Sequence, residues 1–216
     1  MKKILAVALS VIMVLAITGC DRNKNEEVKL PANRLTTQEG IGPYTLNNDE
    51  KVLLEAFGTP FEGNIYSYFG GDKAKIMVVR LSELDKNLKW QEISSSTISK
   101  SKDSDDKNFY GLLGINATED GRIAVSVRDH GGTYTLNMKD ADGENEGQGT
   151  KSEIGLQEFK PLALNKQIPI KIFVTKKEGD LAIPYLNSYN NTQKLKGMDR
   201  VLAITVEFNE EYMSEI

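Results

Sequence analysis

From residue 43 onward, short runs of β-branched and aromatic residues alternate with turn-forming residues along the chain. Strands at this spacing, with little room for helices between them, are typical of an all-β sandwich or barrel. We expect one all-β domain over residues 41–216, an antiparallel or mixed β-sandwich of roughly eight to ten strands with one or two short helices. The predicted strands are Ile65 to Phe69, Lys75 to Leu81, Leu88 to Ile93, Tyr110 to Asn116, Arg122 to Asp129, Thr133 to Met138, Ile168 to Lys176 and Val201 to Phe208.

Two of these runs alternate regularly between apolar and polar positions, which indicates strands with one buried and one wet face. In the run from Arg122 to Asp129, the predicted buried face holds Ile123, Val125 and Val127. In the run from Ile168 to Lys176, Lys171 and Thr175 are placed on the wet face, and the predicted buried face holds Ile168, Ile170, Ile172 and Val174.

Turn residues connect three of the predicted strands into a meander. Glu119-Asp120-Gly121 favours a hairpin turn, because Asp-Gly tolerates the positive φ angle that tight β-turns need. Gly131-Gly132 then turns the chain into the run that starts at Thr133. The sequence therefore predicts that these three strands pair antiparallel in succession.

Four stretches depart from the strand pattern. Glu50 to Phe57 fits a short helix or a strand equally well. Ser94 to Lys107 and Asp140 to Lys151 are polar and are predicted to be long exposed loops. Leu186 to Gly197 is predicted to form a short helix or a loop before the last strand.

The N-terminus has the organisation of a secretory signal. Lys2 and Lys3 precede an apolar stretch, Ile4 to Ala16, that is shorter than the roughly 20 residues needed to cross a bilayer. Ile17-Thr18-Gly19-Cys20 resembles the lipobox of bacterial lipoproteins. The resemblance implies that residues 1–19 are a lipoprotein signal peptide, and that Cys20 carries a diacylglyceryl group as the first mature residue. It implies nothing about the rest of the chain.

Residues 20–40 are polar and lack periodicity, so we interpret them as a flexible tether after the lipidated Cys20. Asp21 resembles the inner-membrane retention signal of Gram-negative lipoproteins. We expect the protein at the outer face of the bacterial cytoplasmic membrane, which is the periplasmic face of the inner membrane if the cell is Gram-negative.

Net charge and cysteine content limit the classes of partner that we expect for this protein. The chain has a formal net charge of −4, which argues against nucleic acid and against docking on anionic lipids. Cys20 is the only cysteine, so disulfides cannot stabilise the domain. The expected partners are the membrane, through the lipid anchor at Cys20, and an envelope protein or glycan.

Candidate metal and catalytic residues are sparse, and we expect no metal site, no cofactor and no enzymatic activity. The acidic residues Asp140, Asp142, Glu144 and Glu146 alternate as calcium ligands do, but Asn145 and Lys151 stand where an EF-hand needs Gly and Glu. A looser calcium site there, or at the cluster Asp103, Asp105 and Asp106, is left open. His130 is the only histidine, and nothing near the serines resembles a nucleophile elbow.

Three aromatic residues are candidates for ligand binding. Trp90 is the only tryptophan, and Tyr66 and Tyr68 share one face of their strand. Exposed aromatic rings can stack on sugar rings, whereas buried ones belong to the core. The leading hypothesis is a membrane-anchored lipoprotein with a non-catalytic β-sandwich that binds an envelope component. The alternatives are a carbohydrate-binding module that uses these three residues, an envelope-associated hydrolase and an interaction or inhibitor subunit.

Overall fold

The computed structural model describes residues 35–56, 64–100, 107–117, 123–129, 132–138, 149–179, 181 and 184–211. These ranges contain eleven β-strands, one α-helix and two 3-10 helices. The strands are β1 (Gly40–Pro43), β2 (Ile65–Phe69), β3 (Ile76–Leu84), β4 (Trp90–Ser99), β5 (Tyr110–Ala117), β6 (Ile123–Arg128), β7 (Thr133–Met138), β8 (Thr150–Gly155), β9 (Lys160–Pro161), β10 (Ile168–Lys176) and β11 (Arg200–Asn209). The helices are α1 (Asn48–Ala56), η1 (Leu186–Asn190) and η2 (Thr192–Leu195).

The strands form two antiparallel sheets that pack face to face. The first sheet has the order β7-β6-β5-β2-β1-β9, and the second has the order β4-β3-β11-β10-β8. One apolar cluster draws side chains from both sheets, including Leu113 and Val125 from the first and Val79 and Ile204 from the second. The predicted all-β sandwich is therefore confirmed.

Most of the predicted strands are present, and the meander is confirmed because β5 pairs antiparallel with β6 and β6 with β7. The turn residues 119–121 and 131 lie outside the described residues. The prediction of an exposed loop from Ser94 is wrong as far as Ser99, because the serine-rich segment continues β4 and pairs with β3. The short strands β1, β8 and β9 were not predicted.

The stretch that fitted either a helix or a strand forms α1. Asn47 and Glu50 make a reciprocal capping box: the Glu50 amide donates to Asn47 Oδ1, and the Asn47 amide donates to Glu50 Oε2, both at 2.8 Å. The α1 helix has no buried residue, and Val52 and Leu53 are exposed. Local capping therefore stabilises this helix more than packing does.

The last residues of the predicted tether belong to the folded domain. Leu35 is buried, and the Thr36 amide donates a hydrogen bond to Ser67 Oγ of β2. The Glu39 carbonyl accepts from the Leu162 amide, and β1 begins at Gly40. Residues 35–40 are thus part of the sandwich and cannot serve as a free linker.

A β-bulge in β10 changes which face its side chains occupy. Pro169 is opposite Thr205 of β11 and Lys171 is opposite Ile204, so Ile170 is one extra residue in β10. Ile168 and Ile170 lie in the core between the sheets, whereas Ile172 and Val174 lie in a second cluster on the outer face. The prediction that all four share one face with Lys171 opposite is wrong, because the bulge reverses the alternation.

Lys171 is consequently turned towards the interior, and only 2 % of the residue is exposed. Its ammonium donates hydrogen bonds to Asn64 Oδ1, just before β2, and to Glu153 Oε1 of β8 at 2.7 Å. The ammonium also lies 5.2 Å from the centroid of the Phe173 ring. These contacts compensate for desolvation of the charge and connect the two sheets.

A second bulge, in β4, moves Trp90 to the outer face of the same sheet. Leu81 is opposite Ser94 whereas Ser82 is opposite Glu92, so Ile93 is the extra residue. Trp90 is therefore opposite Leu84, and both pack against the outer cluster of Ile172, Val174, Leu195, Val201 and Ala203. The strand residues of this outer cluster form the surface on which η1 and η2 rest, and η2 contributes Leu195 to the cluster.

The ion pair of Lys171 and Glu153 gives an asymmetric prediction. In Glu153→Gln the deeply buried Lys171 ammonium loses its counter-charge, and we expect the free energy of unfolding to fall by about 2 kcal/mol. The loss is smaller than for a fully buried ion pair because the Glu153 side chain is 45 % exposed. Lys171→Met leaves the half-exposed carboxylate to be solvated and is expected to cost less. Urea unfolding of both variants measures the order, and a larger loss for Lys171→Met would contradict it.

Candidate ligand-binding cleft

Tyr66 and Tyr68, predicted as ligand-binding aromatics, lie in the core. Both residues are 0 % exposed, and Tyr68 contacts Phe109 and Phe208 with ring centroids 5.4 Å and 5.9 Å away. Burial raises the pKa of both phenols, so they remain neutral. The prediction that these two rings form a surface platform is wrong, because the alternation of β2 points both into the sandwich.

Trp90 lies at the surface of the outer cluster, but another ring covers one of its faces. Its indole stacks on Tyr189 of η1, with centroids 5.0 Å apart and planes inclined by 17°. The indole Nε1–H also donates a 3.0 Å hydrogen bond to the Tyr189 carbonyl. Trp90 therefore holds η1 against the sheet and does not offer a free stacking face on that side.

Tyr189 connects η1 to the segment before β10. Its hydroxyl donates a 2.7 Å hydrogen bond to Gln167 Oε1. Burial raises the pKa of the Tyr189 phenol, which keeps the hydroxyl protonated as a donor. The stack and the two hydrogen bonds together fix η1 relative to both β4 and β10.

A cleft of about 460 Å³ opens beside η1. One wall is the end of β8, the adjoining loop and β9, and the other is η1 with the start of β10. We call it the η1 cleft; its lining is residues 154–158, 160–161, 167–169, 185–187 and 190. Its volume lies within the range of roughly 300–1,000 Å³ that is usual for small-molecule sites.

The wall of the η1 cleft formed by β8, the adjoining loop and β9 is fixed by a close contact with β1. Phe159 lies on Gly40 and Gly42, and a Cβ atom on Gly40 would come within 2.5 Å of the Phe159 ring. The Leu156 amide donates to the Ile170 carbonyl at 2.8 Å, which ties the same segment to the bulge in β10. This wall is therefore attached to the sandwich, and the opposite wall, η1, is held by the contacts of Tyr189 described above.

Apolar side chains form the floor of the cleft and amides form its rim. The floor includes Ile154, Leu156, Ile168 and Leu186. Gln157, Gln167, Asn187 and Asn190 contribute four exposed side-chain amides, and Glu158 and Lys160 contribute one charge of each sign.

Tyr185 stands at the entrance of the cleft and is 72 % exposed. It directly precedes η1, and its carbonyl accepts a 2.8 Å hydrogen bond from the Ser188 amide. Pro184 before it is buried, which limits movement of the backbone that carries the ring. An exposed ring on an anchored backbone is a suitable surface for ligand contact.

A second cleft, of about 380 Å³, lies between the β3–β4 turn and the end of η2. The Asp85 carboxylate in this turn accepts hydrogen bonds from the Asn87 and Lys89 amides at 2.8 Å. Hydrogen bonds from the Lys89 and Asn87 backbone lower the pKa of Asp85. Asp85 is therefore committed to holding the turn, in which Leu88 adopts a positive φ of 61°.

Several predicted sites fall outside the described residues: Cys20 and Asp21, His130, and the acidic clusters at 103–106 and 140–146. In the part of the chain that the structure describes, no group of three or more His, Cys, Asp or Glu side chains is placed to hold a metal ion. Within the same ranges, no helix combines the length and apolar character needed to cross a bilayer.

Neither Tyr185 nor the amide rim was predicted from the sequence. Three of these residues, Tyr185, Asn187 and Asn190, lie at or beside the stretch that was predicted only as a short helix or loop. Its density of Asn and Tyr was the available signal. Gln157 and Gln167 come from other segments and gave no signal of their own.

Comparisons of the chain with protein-family models, with curated proteins and with solved structures found no match. The function is therefore inferred from the sequence and from the η1 cleft.

The only tryptophan reports directly on the attachment of η1. Tyr189→Ala removes the stack on Trp90 and the bond to Gln167, and we expect about 2 kcal/mol loss of unfolding free energy. The Trp90 emission should shift to longer wavelength and acrylamide quenching should increase. Tyr189→Phe keeps the ring and should leave the emission unchanged. An unaltered emission in Tyr189→Ala would contradict the described role of Trp90.

Proposed function

We propose that this protein is a lipid-anchored binding protein at the outer face of the bacterial cytoplasmic membrane, and that its η1 cleft receives the ligand without a catalytic role. The observation that carries the proposal is the cleft itself: about 460 Å³, with an apolar floor, an amide rim and an exposed aromatic ring. A concave apolar site with a few convergent polar groups is the usual form of a ligand site.

The anchoring half of the proposal depends on the N-terminal sequence. Ile17-Thr18-Gly19-Cys20 resembles a lipobox, and two acyl chains on Cys20 would suffice for stable membrane attachment. Between Cys20 and the domain, which begins by residue 35, the chain can span at most about 50 Å. A ligand would therefore be bound close to the membrane surface.

The anchor is tested by membrane fractionation of the full-length protein. Cys20→Ala removes the acceptor sulfur, so we expect the protein to leave the membrane fraction and to appear unprocessed or mis-cut in the periplasm or medium. Thr18→Ala keeps a small residue before Gly19 and should remain membrane-bound. Retention of Cys20→Ala at the wild-type level after a high-salt wash would refute the lipid anchor.

The binding half is tested with the Cys20→Ala protein and methyl NMR. Envelope material from the producing cells is separated into polysaccharide, peptide and lipid fractions, and each is titrated against the protein. At least one fraction should shift the methyl signals of Ile154, Ile168 and Leu186 in the cleft floor. The methyl signals of Ile123 and Val125 should stay in place, because β6 lies four strands away from β9 in the first sheet and does not line the cleft. If no fraction shifts the floor methyls, the proposed binding function is wrong.

A further inference from the structure

The charges of the η1 cleft favour an uncharged ligand. Glu158 and Lys160 are the only Asp, Glu, Lys or Arg side chains among the described residues that line it, and their charges oppose each other. Neither sign therefore dominates inside the cleft, although the chain as a whole carries −4. A phosphate, a carboxylate or a polyamine would find no concentrated opposite charge there.

The amide rim favours a ligand with many groups that both donate and accept hydrogen bonds. The side-chain amides of Gln157, Gln167, Asn187 and Asn190 each carry one carbonyl acceptor and two N–H donors. Two of these groups are already engaged within the protein: Gln157 Nε2 donates to the Gly155 carbonyl at 3.2 Å, and Gln167 Oε1 accepts from the Tyr189 hydroxyl. Neighbouring hydroxyls, which are donors and acceptors at once, match such a rim.

Tyr185 supplies the apolar half of the recognition. Its exposed ring stands at the cleft entrance, beside the apolar floor. The face of an aromatic ring is electron-rich, and the C–H bonds on one face of a sugar ring carry partial positive charge, so the two surfaces attract each other. A ligand with an apolar ring face and hydroxylated edges fits both the ring and the rim.

The strand edges beside the cleft disfavour the main competitor, an extended peptide. Peptides that add to a sheet need a free row of backbone donors and acceptors. In the described ranges β9 has only two residues, and Pro161 lacks an N–H. The β8 edge carries the exposed charge of Lys151, a common protection against strand addition, and the half-exposed Glu153 carboxylate there is paired with Lys171.

We propose that the η1 cleft binds a short uncharged saccharide, with Tyr185 stacked on one sugar ring and the four rim amides bonded to hydroxyls. This inference rests on the proposed binding function and names its ligand class. It keeps the carbohydrate-binding alternative but moves the platform from Trp90, Tyr66 and Tyr68 to Tyr185. Trp90 then acts as a positioning residue, because it holds η1 through Tyr189 and would not touch the sugar.

The inference is tested with the Cys20→Ala protein and a panel of uncharged trisaccharides: chitotriose, maltotriose, mannotriose and cellotriose. At least one should shift the floor methyls of Ile154, Ile168 and Leu186 at low millimolar concentration. Tyr185→Ala should weaken its binding roughly tenfold, whereas Tyr185→Phe should stay within about threefold. Tyr134→Ala removes the exposed ring of β7 on the other side of the sandwich and should change nothing.

The outcomes separate the two proposals. If the peptide or lipid fraction of the envelope shifts the floor methyls and neither the polysaccharide fraction nor any trisaccharide does, the binding function stands and the saccharide inference is wrong. If a trisaccharide binds equally well to Tyr185→Ala, the assigned platform is wrong.

Asn187→Ala and Asn190→Ala, both at exposed positions, should each weaken saccharide binding several-fold without altering the Trp90 emission. If both bind as wild type does, the proposed hydrogen bonds from the η1 side of the rim are absent and the inference is overturned.

Discussion

The extra residue at Ile170 is the constraint on which the rest of the second sheet depends. Side chains alternate along a regular strand, and the extra residue of a bulge shifts this alternation by one, so the residues after it occupy the faces opposite to those that the sequence period predicts. Up to and including the extra residue, β10 contributes Ile168 and Ile170 to the core between the sheets; beyond it, Ile172 and Val174 belong to the outer cluster. Without that cluster, η1 and η2 would have no apolar surface to rest on, and the cleft beside η1 would lose a wall.

The bulge turns a lysine inward, and the surrounding residues compensate for that charge. The Lys171 ammonium donates hydrogen bonds to Asn64, the residue before β2 of the first sheet, and to Glu153 of β8, the edge strand of the second sheet. The same contacts align β8 with β10, and the residues after Glu153 form one side of the cleft. The contacts of Lys171 therefore join the start of β2 to the edge strand β8.

Local alternation and turn chemistry made part of the fold predictable from the sequence. The β5–β6–β7 meander is such a case, because Ile123, Val125 and Val127 alternate without interruption and are all buried. Bulges were not predictable: Ile168 to Val174 has the same regular alternation, and only pairing with β11 shows that Ile170 is inserted. Trp90 was predicted as a ligand-binding aromatic, but its position on the outer face depends on the Ile93 bulge, and Tyr189 covers one of its faces. The cleft was missed because its amides come from segments far apart in sequence.

The two bulges also predict which changes in the gene the domain tolerates. Because Ile170 and Ile93 are the extra residues of their strands, in-frame loss of either codon would restore a regular strand and leave Lys171, Ile172 and Trp90 on their present faces. Loss of a codon from the regular part of β10, such as that of Phe173, would instead exchange the faces of the residues beyond it. Within these two strands, single-residue deletions should therefore be commoner at the bulges than at other positions among natural variants.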